Sequence, residues 1–254
     1  MIVIESLLLS SVPLLALIFF VAAIYSSVGH GGASGYLAVL ALFSMPVAQL
    51  SGTALVLNVL VSSLAFWSFY RGGHRLPAFS WLLVLASVPL SFLGGSLTIA
   101  DSFYKFLLAI ALILSAMRLA IARRCDADQE LRKPQLLALV GTGSSIGFLS
   151  GIVGIGGGIF LSPIAIFMRW ANVKSAATLS ALFILVNSIS GIAGRAVAHK
   201  LVVTPAIGLI VAAFAGGVVG SQLGSRYFDG AALRRILALV LLIAAWKLIM
   251  TYFE

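Results

Sequence analysis

The chain has 254 residues, of which 61% are hydrophobic and only 9% charged, where an ordinary soluble domain carries about 25% charged residues. That balance excludes a soluble globular domain and points to an all-α, polytopic membrane protein. The net charge of +9 is not a nucleic-acid signal, because the cations fall mostly in short loops between apolar runs, and the single cysteine, Cys125, excludes an internal disulfide and a thiol metal cluster.

In chain order, the first apolar run covers residues 7–28. Glu5 and no Lys or Arg precedes it, so it lacks the charged start of a cleavable signal peptide and reads as a retained helix. It runs into SerSerValGlyHisGlyGlyAlaSerGly, residues 26–35, and a short run over 32–43 follows. Long runs then cover 47–70, 78–97 and 103–121. After the polar stretch 123–134 come a long run at 135–153, a second glycine cluster leading into a short run at 157–168, and long runs at 173–197, 203–223 and 231–252. The short runs cannot cross a bilayer as ordinary helices, which need about 17–25 residues. The expected architecture is eight long helices plus two short half-helices after glycine-rich breaks. It divides into a first membrane repeat, 1–122, a linker, 123–134, and a second membrane repeat, 135–254.

The halves are related by a constant shift of 125 residues. Val28, Gly29, Gly31 and Gly32 fall on Val153, Gly154, Gly156 and Gly157, and the same shift pairs Thr53 with Thr178, Ser63 with Ser188 and His74 with His199. Such repeats are typical of secondary transporters. If each short run completes a crossing or hairpin with the run before it, each half has an odd number of crossings and the repeats are inverted. Arg71, Arg75, Arg118, Arg123, Arg124, Arg132, Lys133, Arg169, Lys174, Arg226, Arg234 and Arg235 then share one side. The positive-inside rule makes that side, with the linker, cytoplasmic and puts both termini outside.

Irregular backbone at membrane depth is tolerated only where protein or a water-filled cavity covers it, so two glycine breaks related by an in-plane axis are expected to meet near the midplane and line a site. Each leads into a short helix whose first N–H groups lack internal partners and carry the positive dipole end, a setting for an anion. The seven acidic residues, Glu5, Asp101, Asp126, Asp128, Glu130, Asp229 and Glu254, all lie at helix ends, in loops or in the linker. A cation carrier would place a carboxylate in the bilayer core. The expected substrate-binding residues are Gly29, His30, Gly31, Gly32, Ser34, Thr53 and Asn58 in the first half and Gly154, Gly156, Gly157, Gly158, Thr178, Asn187 and Ser188 in the second. Thr53, Asn58 and Ser62 repeat at a helical spacing and can form one polar stripe. His30, whose mate under the shift is Ile155, is the titratable side chain in the breaks and the candidate proton carrier. Gly35, Gly94, Gly95, Gly216, Gly217 and Gly220 read instead as helix-packing positions.

GlyHisGlyGlyAlaSerGlyTyrLeuAla at 29–38, SerGlyIleValGlyIleGlyGlyGlyIlePheLeuSerPro at 150–163 and SerAlaAlaThrLeuSer at 175–180 resemble the signature regions of the sulfite exporter TauE/SafE family. The first region has HisGlyGlyAla where a run of glycines is usual. The resemblance spans essentially the whole chain. It implies a carrier of small sulfur-containing anions such as sulfite, sulfonates and thiosulfate, often an exporter, in the bacterial inner membrane and coupled to the proton gradient. One repeat is expected to rock against the other around a fixed site. No cofactor, metal or nucleic acid is expected, and a homo-oligomer is compatible with the sequence. A passive anion channel is the rival reading; a membrane enzyme lacks a nucleophile-and-base grouping within the apolar segments.

Overall fold

The computed structural model describes residues 12–121, 131–203, 207–226 and 241–250 except 244 and 248; the run expected at 231–252 and most of the linker lie outside or largely outside the described residues. All regular structure among them is helical: α1 Val12–Ser26, α2 Ala33–Leu42, α3 Val47–Arg71, α4 Ser80–Ser96, α5 Asp101–Ile121, α6 Leu136–Val153, α7 Gly158–Phe167, α8 Val173–Val197 and α9 Ile207–Arg226. Of these, α3, α6, α8 and α9 are both long and apolar enough to cross a membrane. The short runs form the ten-residue helices α2 and α7.

The molecule exposes many large apolar side chains and buries polar ones among its hydrophobic core. Leu137, Phe167 and Ile207 are exposed, as are Trp67, Trp81 and Trp246, while Asn58, Asn187, Thr178 and most serines are buried. Burying polar groups and exposing apolar ones suits a chain whose solvent is lipid, where only polar atoms need cover.

Corresponding helices end alike. Gly29 takes a left-handed conformation with His30 N–H bonded to the Tyr25 carbonyl and Gly29 N–H to that of Ser26, the pattern of a Schellman cap. Gly154 closes α6 with φ +84 and a single bond from its N–H to the Ser150 carbonyl. Left-handed Ser44 and Arg169 close α2 and α7, and Gly73 and His199 close α3 and α8.

The fourth helix of each half packs on the first and third helices of the other: α4 against α6 and α8, and α9 against α1 and α3, while α3 and α8 pack on each other. Small residues allow this. Gly143, Gly147 and Gly151 of α6 repeat every four residues and press against the carbonyls of Leu83, Ser87 and Ser91 on α4; Gly216, Gly220 and Gly224 of α9 do the same to Phe19 and Ala23 on α1 and to Ser27 just past its end. Backbones in such contact gain dispersion and Cα–H···O contacts. Gly35, Gly94, Gly95 and Gly217 likewise lie against neighbouring helices. Two glycines of α6 therefore predict opposite outcomes. Gly141 faces open space, so Gly141→Ala should raise stability by about 0.5–1 kcal/mol. A Cβ on Gly147 would instead overlap the Ser87 carbonyl and approach its Cα to 2.8 Å, so Gly147→Ala should lower stability by about 1–3 kcal/mol. Thermal unfolding in detergent reads both.

Cations finish several helix ends. Lys200 Nζ donates to the Ser96 carbonyl of α4 (2.8 Å), Lys174 Nζ to Gly224 of α9 (2.6 Å), and Lys247 Nζ to Ala41 and Leu42 of α2 (3.1 and 2.9 Å). Each meets the negative end of a helix dipole.

Candidate anion site at two glycine breaks

The breaks are built from backbone that side chains rarely allow. Gly29 and Gly32 have φ +76 and +99, and Gly154, Gly156 and Gly157 have φ +84, +72 and +78. Gly32 and Gly157 are the N-caps of α2 and α7. Each break lies against the third helix of the opposite half. The place of a Gly29 Cβ is taken by Ala177 of α8, and that of a Gly154 Cβ by Ser51 of α3.

The two breaks meet at one side chain. Asn58, fully buried on α3, fills the space where Gly31 and Gly156 would each carry a Cβ, and both glycines also touch Ile184 of α8. Its Oδ1 accepts from Ala33 N–H, the first N–H of α2 (3.1 Å), and its Nδ2 donates to Ser188 Oγ (2.8 Å). One amide thus caps a short helix of the first half and holds a helix of the second.

His30 supplies the other link. Its Nδ1 lies 2.9 Å from the Val28 carbonyl, and its Nε2 lies 3.2 Å from the Gly158 carbonyl and 3.1 Å from Ser162 Oγ, both on α7. Ser162 is in turn 2.6 Å from Ser180 Oγ on α8. A proton on Nδ1 donates to Val28, and Nε2 then accepts from Ser162. A second proton, on Nε2, would face the Gly158 carbonyl. Both protonation states of the ring therefore find partners while the ring stays buried.

The remaining expected residues are placed as follows. Ser34 Oγ bonds Tyr25 Oη at 2.7 Å, beside the first break. Thr53 is buried on α3. Thr178 donates to the Lys174 carbonyl of its own helix (3.1 Å). Asn187 turns toward α4, donating to Ser87 Oγ (2.9 Å) and also to the Phe183 carbonyl (2.8 Å). The structure thus brings together the glycines, His30, Asn58 and Ser188, and turns the Thr178 and Asn187 side chains to other partners.

Sequence reading missed Ser162 and Ser180, although both fall in the quoted signature stretches, and it missed Arg195. Arg195 is buried at 7% exposure beside the second break. It donates to the carbonyls of Gly151 (2.6 Å) and Ile152 (2.9 Å) and to Ser51 Oγ (3.0 Å), and Tyr104 Oη donates to the next carbonyl, that of Val153 (3.0 Å). The last turn of α6 is therefore closed by side chains where the break begins. Among the described residues Asp101 is the one carboxylate, exposed at the start of α5, so the charge of Arg195 is met by helix carbonyls instead.

Helices with an apolar exterior around a glycine-broken centre define a multi-pass membrane protein. The sequence profile described as Sulfite exporter TauE/SafE matches residues 14–248, and the chain belongs to that family. A relative described as "Probable membrane transporter protein y4hK", from Sinorhizobium fredii (strain NBRC 101917 / NGR234), is 33% identical over 239 residues, covering 92% of this chain and 97% of the relative. No solved structure gives a significant match. The chain is accordingly a membrane transporter of a small anion and not an enzyme.

Proposed function

We propose that the chain is a proton-coupled secondary transporter that exports small sulfur-containing anions, such as sulfite or organosulfonates, across the bacterial inner membrane. The observation that carries this reading is the meeting of two left-handed glycine breaks, one from each half, at Asn58, with His30 crossing from the first break to the helix after the second. The N-terminal ends of α2 and α7 are brought into one polar interior by these links, and such ends favour an anion. The paired helix ends support two repeats, 1–122 and 135–254, in inverted orientation around the cytoplasmic linker 123–134.

The contact pattern favours a particular alternating-access movement. Because α4 is packed backbone to backbone on α6, and α9 on α1, the bodies that rock are α1, α2, α3 and α9 against α4, α6, α7 and α8, rather than one sequence half against the other. They meet along α3 and α8, whose Asn58 and Ser188 are bonded across the seam. His30 spans the same two bodies, so adding or removing its Nε2 proton changes a bond between them. Such a change couples protonation to rocking.

Sulfite flux in proteoliposomes with and without a pH gradient tests the reading. Wild-type flux is expected to follow the gradient, and His30→Ala to lose that response. Flux insensitive to the gradient would support a passive anion channel, which shares the site and needs no movement. Absence of sulfite flux, with flux of an organic carboxylate in its place, would overturn the substrate assignment.

A further inference from the structure

Three buried side-chain atoms among the described residues make no hydrogen bond: Tyr36 Oη, Ser150 Oγ and Asn187 Oδ1. Leaving a buried hydroxyl unpaired is unfavourable, so native proteins rarely do so without reason. Two of the three stand beside the N-cap glycines, Tyr36 by Gly32 and Ser150 by Gly157. Tyr36 lies four residues into α2, and a helical side chain leans back toward the N-terminus of its helix. Its ring accordingly covers Gly32, where a Cβ would lie 2.9 Å from both ring Cζ and the hydroxyl. Ser150, in the last turn of α6, lies against Gly157, where a Cβ would come 3.3 Å from the Ser150 Cβ. Every other buried serine among the described residues has a partner, often a carbonyl of its own helix. Ser150 has comparable carbonyls within its helix and bonds to none.

The geometry points to the Tyr36 and Ser150 hydroxyls as the two side-chain donors to the transported oxyanion, one at each short-helix N-terminus. This rests on the reading of the breaks as the substrate site. A hydroxyl donates one proton, and each joins the first N–H groups of its short helix, of which Ala33 N–H is already held by Asn58. Donors offered from two helix ends suit a group with several oxygens on one centre, a sulfite or sulfonate, better than a monatomic halide. It also explains why an unbonded tyrosine and serine are kept inside the bundle: their partner arrives with the substrate.

The test is thermal unfolding of the full chain in detergent, titrated with sodium sulfite against sodium chloride at equal ionic strength, for wild type, Tyr36→Phe and Ser150→Ala. Without sulfite both variants are expected to unfold at the wild-type temperature or above, since an unpaired hydroxyl contributes no bond to the fold. With sulfite, each is expected to bind about 10- to 100-fold more weakly, the loss of one hydrogen bond to a charged group. Sulfite affinity within about twofold of wild type in both variants, read from the stabilisation, would overturn the assignment while leaving the anion site in place. A lower unfolding temperature of Tyr36→Phe without sulfite would also overturn it, because the hydroxyl would then have a protein partner. If wild type itself gains no stability from sulfite or methanesulfonate, the reading of the breaks as an anion site fails, and this assignment with it.

Discussion

Arg195→Met is expected to be the most destabilising single substitution at the candidate site, lowering stability by about 3–5 kcal/mol and the unfolding temperature by about 10 °C. The guanidinium donates to the Gly151 and Ile152 carbonyls and to Ser51, and methionine of similar length offers none of these bonds. The carbonyls would remain at the C-terminus of α6 in a buried setting, each costing about 1–3 kcal/mol when unpaired. Arg195→Lys should recover part of the loss, because an ammonium places its charge against the dipole but cannot reproduce the planar fork that reaches three acceptors. The order wild type, lysine, methionine in a thermal melt is the expected result. A methionine variant melting within about 2 °C of wild type would remove Arg195 as the cap. Since the cap also fixes where α6 stops, sulfite flux should fall in the same order.

The position of Arg195 shows where sequence reading reaches its limit. A cation two residues from the end of an apolar run reads as a charge at a helix end, and only packing reveals that α4 crosses this end of α8. Gly95 makes room there: a Cβ on it would lie 3.2 Å from the Arg195 guanidinium. The glycine breaks were legible for the opposite reason. A run too short to cross a bilayer and a cluster of residues tolerant of positive φ are local properties, and α2 and α7 form over 33–42 and 158–167. Asn58 was legible as a polar residue in an apolar helix, though not as the side chain filling both breaks. The chain from His30 through Ser162 to Ser180 was not, because the first contact joins residues 132 apart and no spacing within a helix announces it. The exchange of α4 and α9 between halves was equally hidden. Small residues at four-residue steps say that a helix packs closely, but not on which partner.

Asn58 provides the sharpest separation between a binding role and a structural one, because two substitutions there exchange their order between the two readings. Asn58→Asp keeps an acceptor for Ala33 N–H and puts negative charge at the N-terminus of α2, where the dipole favours it. The Ser188 hydroxyl can reverse and donate to the carboxylate, so the local bonds survive. Asn58→Ala removes both bonds and leaves Ala33 N–H and Ser188 to find other partners. If Asn58 only held helices together, the aspartate variant would transport better than the alanine variant. At an anion site the order reverses: two like charges about 4 Å apart repel by about 4 kcal/mol at an effective dielectric constant of about 20, which corresponds to roughly a thousandfold weaker binding. The expected result is therefore sulfite flux at background in Asn58→Asp, reduced flux in Asn58→Ala, and a melting temperature at least as high in the aspartate variant as in the alanine variant. Flux in Asn58→Asp that equals or exceeds that of Asn58→Ala would count against an anion at the junction of the two breaks.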